Sequence, residues 1–183
     1  MLEKLIKKYD TGFFVDLGSS EERTETTVLT NAGWKGIHID ARLNYAVYSY
    51  DGYVDFYDLG EVHPHLKYWS GVKEHLYLKE ASKVLPNIDI FASPYLRTKK
   101  VECKTLETIL NENNIKDITL LKMDIEGCEQ EVLSVFPFEE FNIDYVYVET
   151  NSCNKILKAN GYKPVGMKIR KYQKDVLYKH KDL

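Results

Sequence analysis

The feature that most constrains this 183-residue chain is a buried strand that leads straight into a helix, with two carboxylates at the junction. Ile118, Leu121 and Met123 belong to a short, nearly continuous apolar run that predicts a buried strand. Asp124 and Glu126 follow it directly. Ligands of open α/β sheets bind in the crevice outside the carboxyl ends of the strands. The junction therefore predicts two ligand-facing acids, although the helix dipole alone would also favour acids at this place.

Three other apolar segments end in the same way, at an acid or at an acid and a glycine. The first ends with Asp16 and Gly18, the second with Asp40 and the last with Glu149. The carboxyl ends of parallel strands meet at one edge of a sheet. We therefore expect these acids to lie close to Asp124.

The order of the segments predicts the fold class. A helix predicted over residues 19–32, in which Ser19 and Glu22 have the form of a capping box, connects the first two strands. Residues 163–168 and 173–178 are predicted to form an antiparallel pair of strands at one edge. We predict the α/β class, with a Rossmann-like sheet that is mostly parallel and has helices on both faces.

The middle of the chain carries weaker signals. Residues 46–49 are predicted to form a third strand, and residues 53–57 either its hairpin partner or an edge strand. The segment at about residues 60–100 is rich in turn residues and aromatic side chains. We therefore predict that it forms an irregular, partly helical insertion on the ligand side of the sheet. Since the sequence shows neither repeats nor linkers, residues 1–183 are predicted to form a single domain.

Composition excludes several classes of partner. The net charge of -3 gives no reason to expect nucleic acid, and no apolar run approaches the length of a membrane span. Cys103, Cys128 and Cys153 are widely spaced, which argues against a disulfide framework or a zinc site. Reduced cysteines predict a cytoplasmic protein. Its oligomeric state is open.

The loop after Gly18 helps to choose between two nucleoside cofactors. A nicotinamide dinucleotide needs a glycine-rich loop that receives its pyrophosphate, but here Glu21 and Glu22 follow and would repel it. S-adenosylmethionine carries no phosphate and has a cationic sulfonium, for which Asp16 is a natural partner. Asp40, at the end of the second strand, is suitably placed to bind ribose hydroxyls. The loop therefore favours S-adenosylmethionine.

Several motifs follow the order and spacing of a known family. They are residues 13–18, 33–41, 121–133, 148–151 and 160–162, and together they span most of the chain outside the insertion. In these motifs the chain resembles FkbM-type methyltransferases. The resemblance implies a class I methyltransferase fold and S-adenosylmethionine-dependent transfer of a methyl group to a hydroxyl of a sugar, glycan or related small molecule.

The resemblance also implies roles for individual residues. The methionine end of the cofactor would lie against Asp16, Gly18, Ser19 and Ser20. The ribose would bind Asp40, and the adenine would lie near Ala41. The reaction centre would contain Asp124, Glu126 and Gly127.

Two kinds of chemistry are open to three acids at the strand ends, Asp124, Glu126 and Glu149. Asp124, which ends the central strand, is the first candidate for the general base that removes the acceptor's hydroxyl proton, with Glu126 and Glu149 in reserve. The same three carboxylates could instead hold a divalent metal that orients and acidifies a diol.

Two departures from the family pattern support an alternative function. The family usually has glycine where this chain has Glu22, and it usually has a helix between the second and third strands, for which residues 40–47 leave little room. A degenerate methyltransferase fold that binds cofactor or glycan without turnover is therefore the second hypothesis, and a nicotinamide oxidoreductase is a distant third.

Overall fold

The fold combines a large sheet, a small sheet and several short α-helices, six of which have described bounds. The computed structural model describes residues 2–19, 25–42, 44–76, 78, 82–83, 85–150, 152–169 and 174–183. Within these residues, no helix has the length and apolar character needed to cross a membrane.

Six strands form the main sheet in the order β2-β1-β7-β8-β10-β9. Their bounds are β1 (Phe13–Leu17), β2 (Lys35–Ile39), β7 (Asp117–Met123), β8 (Asn142–Val148), β9 (Tyr162–Ile169) and β10 (Lys174–His180). The first four in spatial order are mutually parallel, whereas β10 runs antiparallel to both β8 and β9. The prediction of a mostly parallel sheet with an antiparallel edge pair is confirmed.

Helices cover both faces of this sheet, as predicted. Successive residues of a strand point to opposite faces, so Leu120 and Leu121 of β7 belong to two different cores. Apolar residues of α1 and α2 pack on the Leu120 face, and those of α4, α5 and α6 pack on the Leu121 face. Burial on both sides explains why the central strands are almost wholly apolar. The helices are α1 (Leu2–Lys8), α2 (Thr27–Asn31), α3 (Leu59–Val62), α4 (Leu106–Glu112), α5 (Glu129–Val135) and α6 (Asn154–Ala159).

A second, four-stranded sheet contains the segments whose assignment was weak. Its order is β3-β6-β4-β5, with bounds β3 (Ala46–Val47), β4 (Gly52–Tyr57), β5 (Gly71–Val72) and β6 (Thr98–Lys104). The prediction that residues 53–57 form a hairpin with the third strand, or an edge strand, is wrong. Strand β6 pairs with both β3 and β4 and separates them.

The insertion is partly helical and has its own small core. It contains α3 and two 3₁₀ helices, Pro64–Trp69 and Ile90–Ala92. Leu59, Leu66 and Ile90 are buried together, apart from the two larger cores. The division of the chain into a single domain stays a prediction.

The helix predicted over residues 19–32 begins later than expected. Helix α2 starts at Thr27, and the Ser19 hydroxyl lies 2.9 Å from His38 Nδ1. Ser19 is therefore not the N-cap of this helix. Glu22, the other half of the predicted capping box, lies outside the described residues.

Candidate active site at the carboxyl edge of the main sheet

A cavity of about 320 Å³ lies where the parallel strands of the main sheet end. This volume falls at the lower end of the range of about 300–1,000 Å³ that is common for small-molecule sites. The strand ends form one side, and residues of the small sheet and of the insertion form the other. The sequence-predicted site residues that line it are Gly18, Ser19, Asp40, Ala41, Asp124, Glu126 and Glu149.

Two of the predicted site residues are not among the lining residues. Ser20 lies outside the described residues. Asp16 is fully buried inside β1, where its Oδ2 accepts a 2.6 Å hydrogen bond from the Thr26 hydroxyl. Its Oδ1 lies 3.2 Å from the ammonium of Lys122. The predicted contact between Asp16 and the cofactor stays a prediction.

Lys122 is a site residue to which the sequence assigned no role beyond pairing with a nearby acid. It lies on β7, is 2% exposed and lines the cavity. Its Nζ is 3.5 Å from Asp124 Oδ2 as well as 3.2 Å from Asp16 Oδ1. Burial alone would lower the pKa of Lys122, but the charges of Asp16, Asp124 and Glu149 outweigh it and raise the pKa above its usual value. The ammonium is therefore a permanent cation within the acid cluster.

Glycine is required at position 18 because a side chain there would collide with the neighbouring end of β7. Its φ is +82°, and a Cβ built on it would lie 1.7 Å from the carbonyl oxygen of Asp124. The Gly18 amide also donates a 2.7 Å hydrogen bond to the carbonyl of Ile39. The ends of β1, β2 and β7 are thus locked together at this residue. Gly18 also lines the cavity. The close approach of its backbone to a ligand stays a prediction.

Both acids at the end of β7 have a raised pKa. Burial raises the pKa of Asp124, and the ammonium of Lys122 and a hydrogen bond with Glu149 oppose this shift. Burial raises the pKa of Glu126 to about 9, and the charges of Asp124 and Glu149 act in the same direction. Glu126 also has a positive φ of 51°, which is uncommon outside glycine. Strained backbone of this kind is concentrated at functional sites.

The raised pKa of Glu126 predicts a pH dependence of stability. Between its ordinary value of 4.5 and about 9, the folded protein keeps a proton that the unfolded chain has released. Stability attributable to this group therefore falls as pH rises through that window. We expect Glu126→Gln, which cannot ionise, to gain stability relative to wild type between pH 5 and pH 8 in urea unfolding. Glu139→Gln, at an exposed position, is the control, and an equal gain there would refute the assignment.

Asp40 lines the cavity as an ion pair with Arg42. Its Oδ1 accepts hydrogen bonds from the Arg42 backbone amide at 2.8 Å and from Nε at 3.0 Å, and its Oδ2 accepts one from Nη2 at 3.0 Å. Arg42 Nη1 also donates to the carbonyl of Lys67 at 3.3 Å, so the insertion is tied to the end of β2. A carboxylate has about four lone-pair sites, which leaves Asp40 capacity for a further donor.

The helix that the family usually has between the second and third strands is missing from the described residues of this segment, as the sequence predicts. Residues 41–42 and 44–45 contain no helix. Tyr45 and, from the insertion, Tyr68 line the cavity on this side, whereas Tyr48 does not. Tyr48 instead lies with its hydroxyl 3.1 Å from His75 Nε2. The small sheet completes the wall with apolar side chains such as Phe56.

The structure offers no metal cage in the part of the chain that it describes. Among those residues, no group of three or more His, Cys, Asp or Glu side chains is arranged to hold a metal ion. His63 and His65 stack on each other in the insertion and do not line the cavity. Cys128 does line it, but burial raises the pKa of its thiol well above the usual value, so it is a packing residue and a poor nucleophile.

Comparison with known families gives one match. A family model described as the methyltransferase FkbM domain matches residues 20–164. This span covers most of the chain, including Asp40, Asp124 and Glu149, and it begins after the end of β1. Searches of curated proteins and of solved structures gave no match.

Proposed function

The chain belongs to the methyltransferase FkbM domain family, and we propose that it is an S-adenosylmethionine-dependent O-methyltransferase acting on a hydroxyl of a sugar or glycan. The observation that carries this proposal is the charge of the cavity. The described lining contains five acidic side chains, Glu25, Asp40, Asp124, Glu126 and Glu149, and three cations, Arg42, Lys67 and Lys122. Because Glu126 keeps its proton near pH 7, four carboxylates face three cations, a formal charge of -1. S-adenosylmethionine has a net positive charge and carries no phosphate, so the cavity favours it over a dinucleotide.

The strand order supports a class I Rossmann-like layout. The parallel strands β2, β1, β7 and β8 are adjacent, and the antiparallel strand β10 lies between β8 and β9. The acid-bearing ends of the parallel strands meet at the cavity, as the crevice rule for open α/β sheets requires. In this layout the methionine end of the cofactor lies near Gly18 and Ser19, the ribose at Asp40 and the adenine near Ala41 and Tyr45.

The residues of this chain have separable tasks in the proposed reaction. S-adenosylmethionine supplies a methyl group on a sulfonium, so that the acceptor oxygen bonds to the methyl carbon as the carbon–sulfur bond breaks and its electron pair returns to sulfur. Asp124 accepts the hydroxyl proton as general base, a role that contributes about 10²–10⁴-fold. Glu149 lines the cavity together with Asp124 and is the reserve for this role. The small sheet and the insertion exclude water and align the acceptor.

The proposal is tested first by binding and then by turnover. Calorimetry with S-adenosylhomocysteine and, separately, with NAD should give binding for the former and none for the latter. Methyl transfer to a panel of methyl glycosides should follow, with equal rates in the presence and absence of EDTA. Binding of NAD alone would overturn the proposal. Loss of transfer in EDTA would indicate that Asp124, Glu126 and Glu149 hold a divalent metal.

Asp40 provides a separate test of the ribose site. A hydrogen bond to a charged group contributes about 1.5–3 kcal/mol, or about 10–150-fold in affinity. We expect Asp40→Asn to weaken S-adenosylhomocysteine binding about 10-fold, with a much smaller change in kcat at saturating cofactor. Asp55→Asn, whose carboxylate pairs with Lys100 outside the cavity, is the matched control. Unchanged affinity in Asp40→Asn would show that the ribose does not bind Asp40.

The ion pair of Asp40 with Arg42 favours a second candidate, binding without turnover. Because three donors of Arg42 already contact the Asp40 carboxylate, only about one of its lone-pair sites is left for a ribose hydroxyl, which would weaken cofactor binding. Under this alternative the protein binds S-adenosylhomocysteine or a glycan, but no acceptor in the panel is methylated. Transfer to any acceptor would exclude it.

The cysteines support a proposal about the cellular compartment. All three are free and buried, which supports a reducing, cytoplasmic location within this proposal. The acidic cavity suits a small-molecule or glycan acceptor and offers nothing to a nucleic acid backbone.

A further inference from the structure

The buried ammonium of Lys122 is the group whose presence the fold alone does not explain. β7 is one of the two central strands of the sheet, and the residues before and after Lys122 in the chain, Leu121 and Met123, are fully buried and apolar. A lysine is almost never fully buried unless it is paired. Replacing a buried ion pair with well-packed apolar residues often costs nothing. The charge at this position therefore points to a role beyond packing.

Asp16 holds this ammonium from behind the cavity. Asp16 and Lys122 are register partners on the adjacent parallel strands β1 and β7. The Asp16 carboxylate is itself fixed by the hydroxyl of Thr26 at 2.6 Å, and His38 Nδ1 lies 3.7 Å away on β2. The carboxylate that anchors Lys122 therefore lies on β1 and is contacted by His38 from β2 and by Thr26, which directly precedes α2.

The other contact of the ammonium faces the cavity. Lys122 Nζ is 3.5 Å from Asp124 Oδ2, and the Asp124 side chain is 30% exposed, whereas that of Lys122 is only 3% exposed. Asp124 therefore receives a fixed positive charge from the protein side and is open to ligand on the other. On the protein side, the contact with Lys122 therefore fixes the place of the Asp124 carboxylate.

We propose that Lys122 is a positioning residue that holds the Asp124 carboxylate in the orientation needed to accept the acceptor's proton. This inference rests on the proposed function. The ammonium touches neither acceptor nor methyl group in this scheme; it acts through Asp124. Catalytic groups misplaced by about 1 Å can lose about 10²-fold in rate.

The test must separate positioning from folding. Lys122→Met alone leaves the Asp16 carboxylate buried without its ammonium, and we expect it to be strongly destabilised. The double variant Lys122→Met/Asp16→Asn removes both charges and keeps both shapes, so its melting temperature should return close to that of wild type. At saturating S-adenosylmethionine, we expect the double variant to lose about 10²-fold in kcat on the best methyl glycoside of the panel.

Two results in the double variant would overturn the proposal. Recovery of both stability and kcat would mean that Lys122 only neutralises Asp16. Loss of S-adenosylhomocysteine binding would mean that the pair serves the cofactor rather than Asp124.

A crystallographic readout keeps this test independent of the proposed function. If wild-type protein neither binds S-adenosylhomocysteine nor methylates an acceptor, the proposed function fails. Crystal structures of wild type and the double variant then still report the place of the Asp124 carboxylate. A changed Asp124 rotamer supports positioning by Lys122, and an unchanged rotamer refutes it.

Discussion

Asp124→Asn is expected to lower kcat by about 10²–10⁴-fold, the usual contribution of a general base. Asparagine keeps the size of the side chain, but it cannot accept the acceptor's hydroxyl proton. Asp124 lines the cavity directly after β7 and lies beside Lys122 and Glu149, so no other carboxylate has the same surroundings. Binding of S-adenosylhomocysteine should be nearly unchanged, because Asp124 serves the transferred proton rather than the nucleoside.

The control for this variant lies on the same strand. Asp117→Asn makes the same substitution at the opposite end of β7, where Asp117 is exposed and accepts a hydrogen bond from Asn142. We expect Asp117→Asn to retain wild-type kcat. Steady-state kinetics on the same methyl glycoside, with calorimetry for cofactor affinity, measures both effects. Full activity in Asp124→Asn would transfer the base role to Glu126 or Glu149.

Gly18→Ala is expected to cost at least about 3 kcal/mol of stability, from a left-handed backbone and from overpacking together. The added Cβ would lie 1.7 Å from the Asp124 carbonyl oxygen, a backbone atom that cannot move without shifting the end of β7. We therefore expect Gly18→Ala to lose methyl transfer even where it remains folded, because the displaced strand end carries Asp124. Urea unfolding measures the first effect and kinetics the second.

Gly33 is a close match for Gly18 that lacks the contact. Its φ of +86° is nearly the same as the +82° of Gly18, but a Cβ built on it meets no atom within 4 Å. Gly33→Ala should therefore cost only the backbone term of about 1–2 kcal/mol. The difference between the two variants isolates the contact with Asp124, and equal losses would show that this contact is unimportant.

The acid-bearing edge of the sheet could be predicted because each part of the signal is local. An apolar run that stops at an acid identifies one strand end, and parallel pairing then brings several ends together. For this reason the cavity contains Asp40, Asp124 and Glu149 as expected. The family resemblance added the order of the motifs.

The cations of the site and the small sheet depend on contacts that the sequence does not display. Lys122 lies inside an apolar run, so its partner Asp16, more than 100 residues earlier, is visible only in three dimensions. Arg42 could have been suspected, since it follows Asp40 by two residues and their charges are opposite. Strands β3 and β5 have only two residues each and are held by pairing with distant segments. A strand of two residues is too short to show an alternating apolar pattern in the sequence.

The insertion has a core of its own, around Leu59, Leu66 and Ile90, and it contributes Lys67 and Tyr68 to the cavity wall. The acids and the lysine proposed to carry out the transfer lie instead on the main sheet. On the proposed function, the insertion therefore shapes the cavity wall near Asp40, and the residues that carry out the transfer lie on other stretches of the chain. Substitutions in the insertion can change that wall and still leave the transferring residues in place.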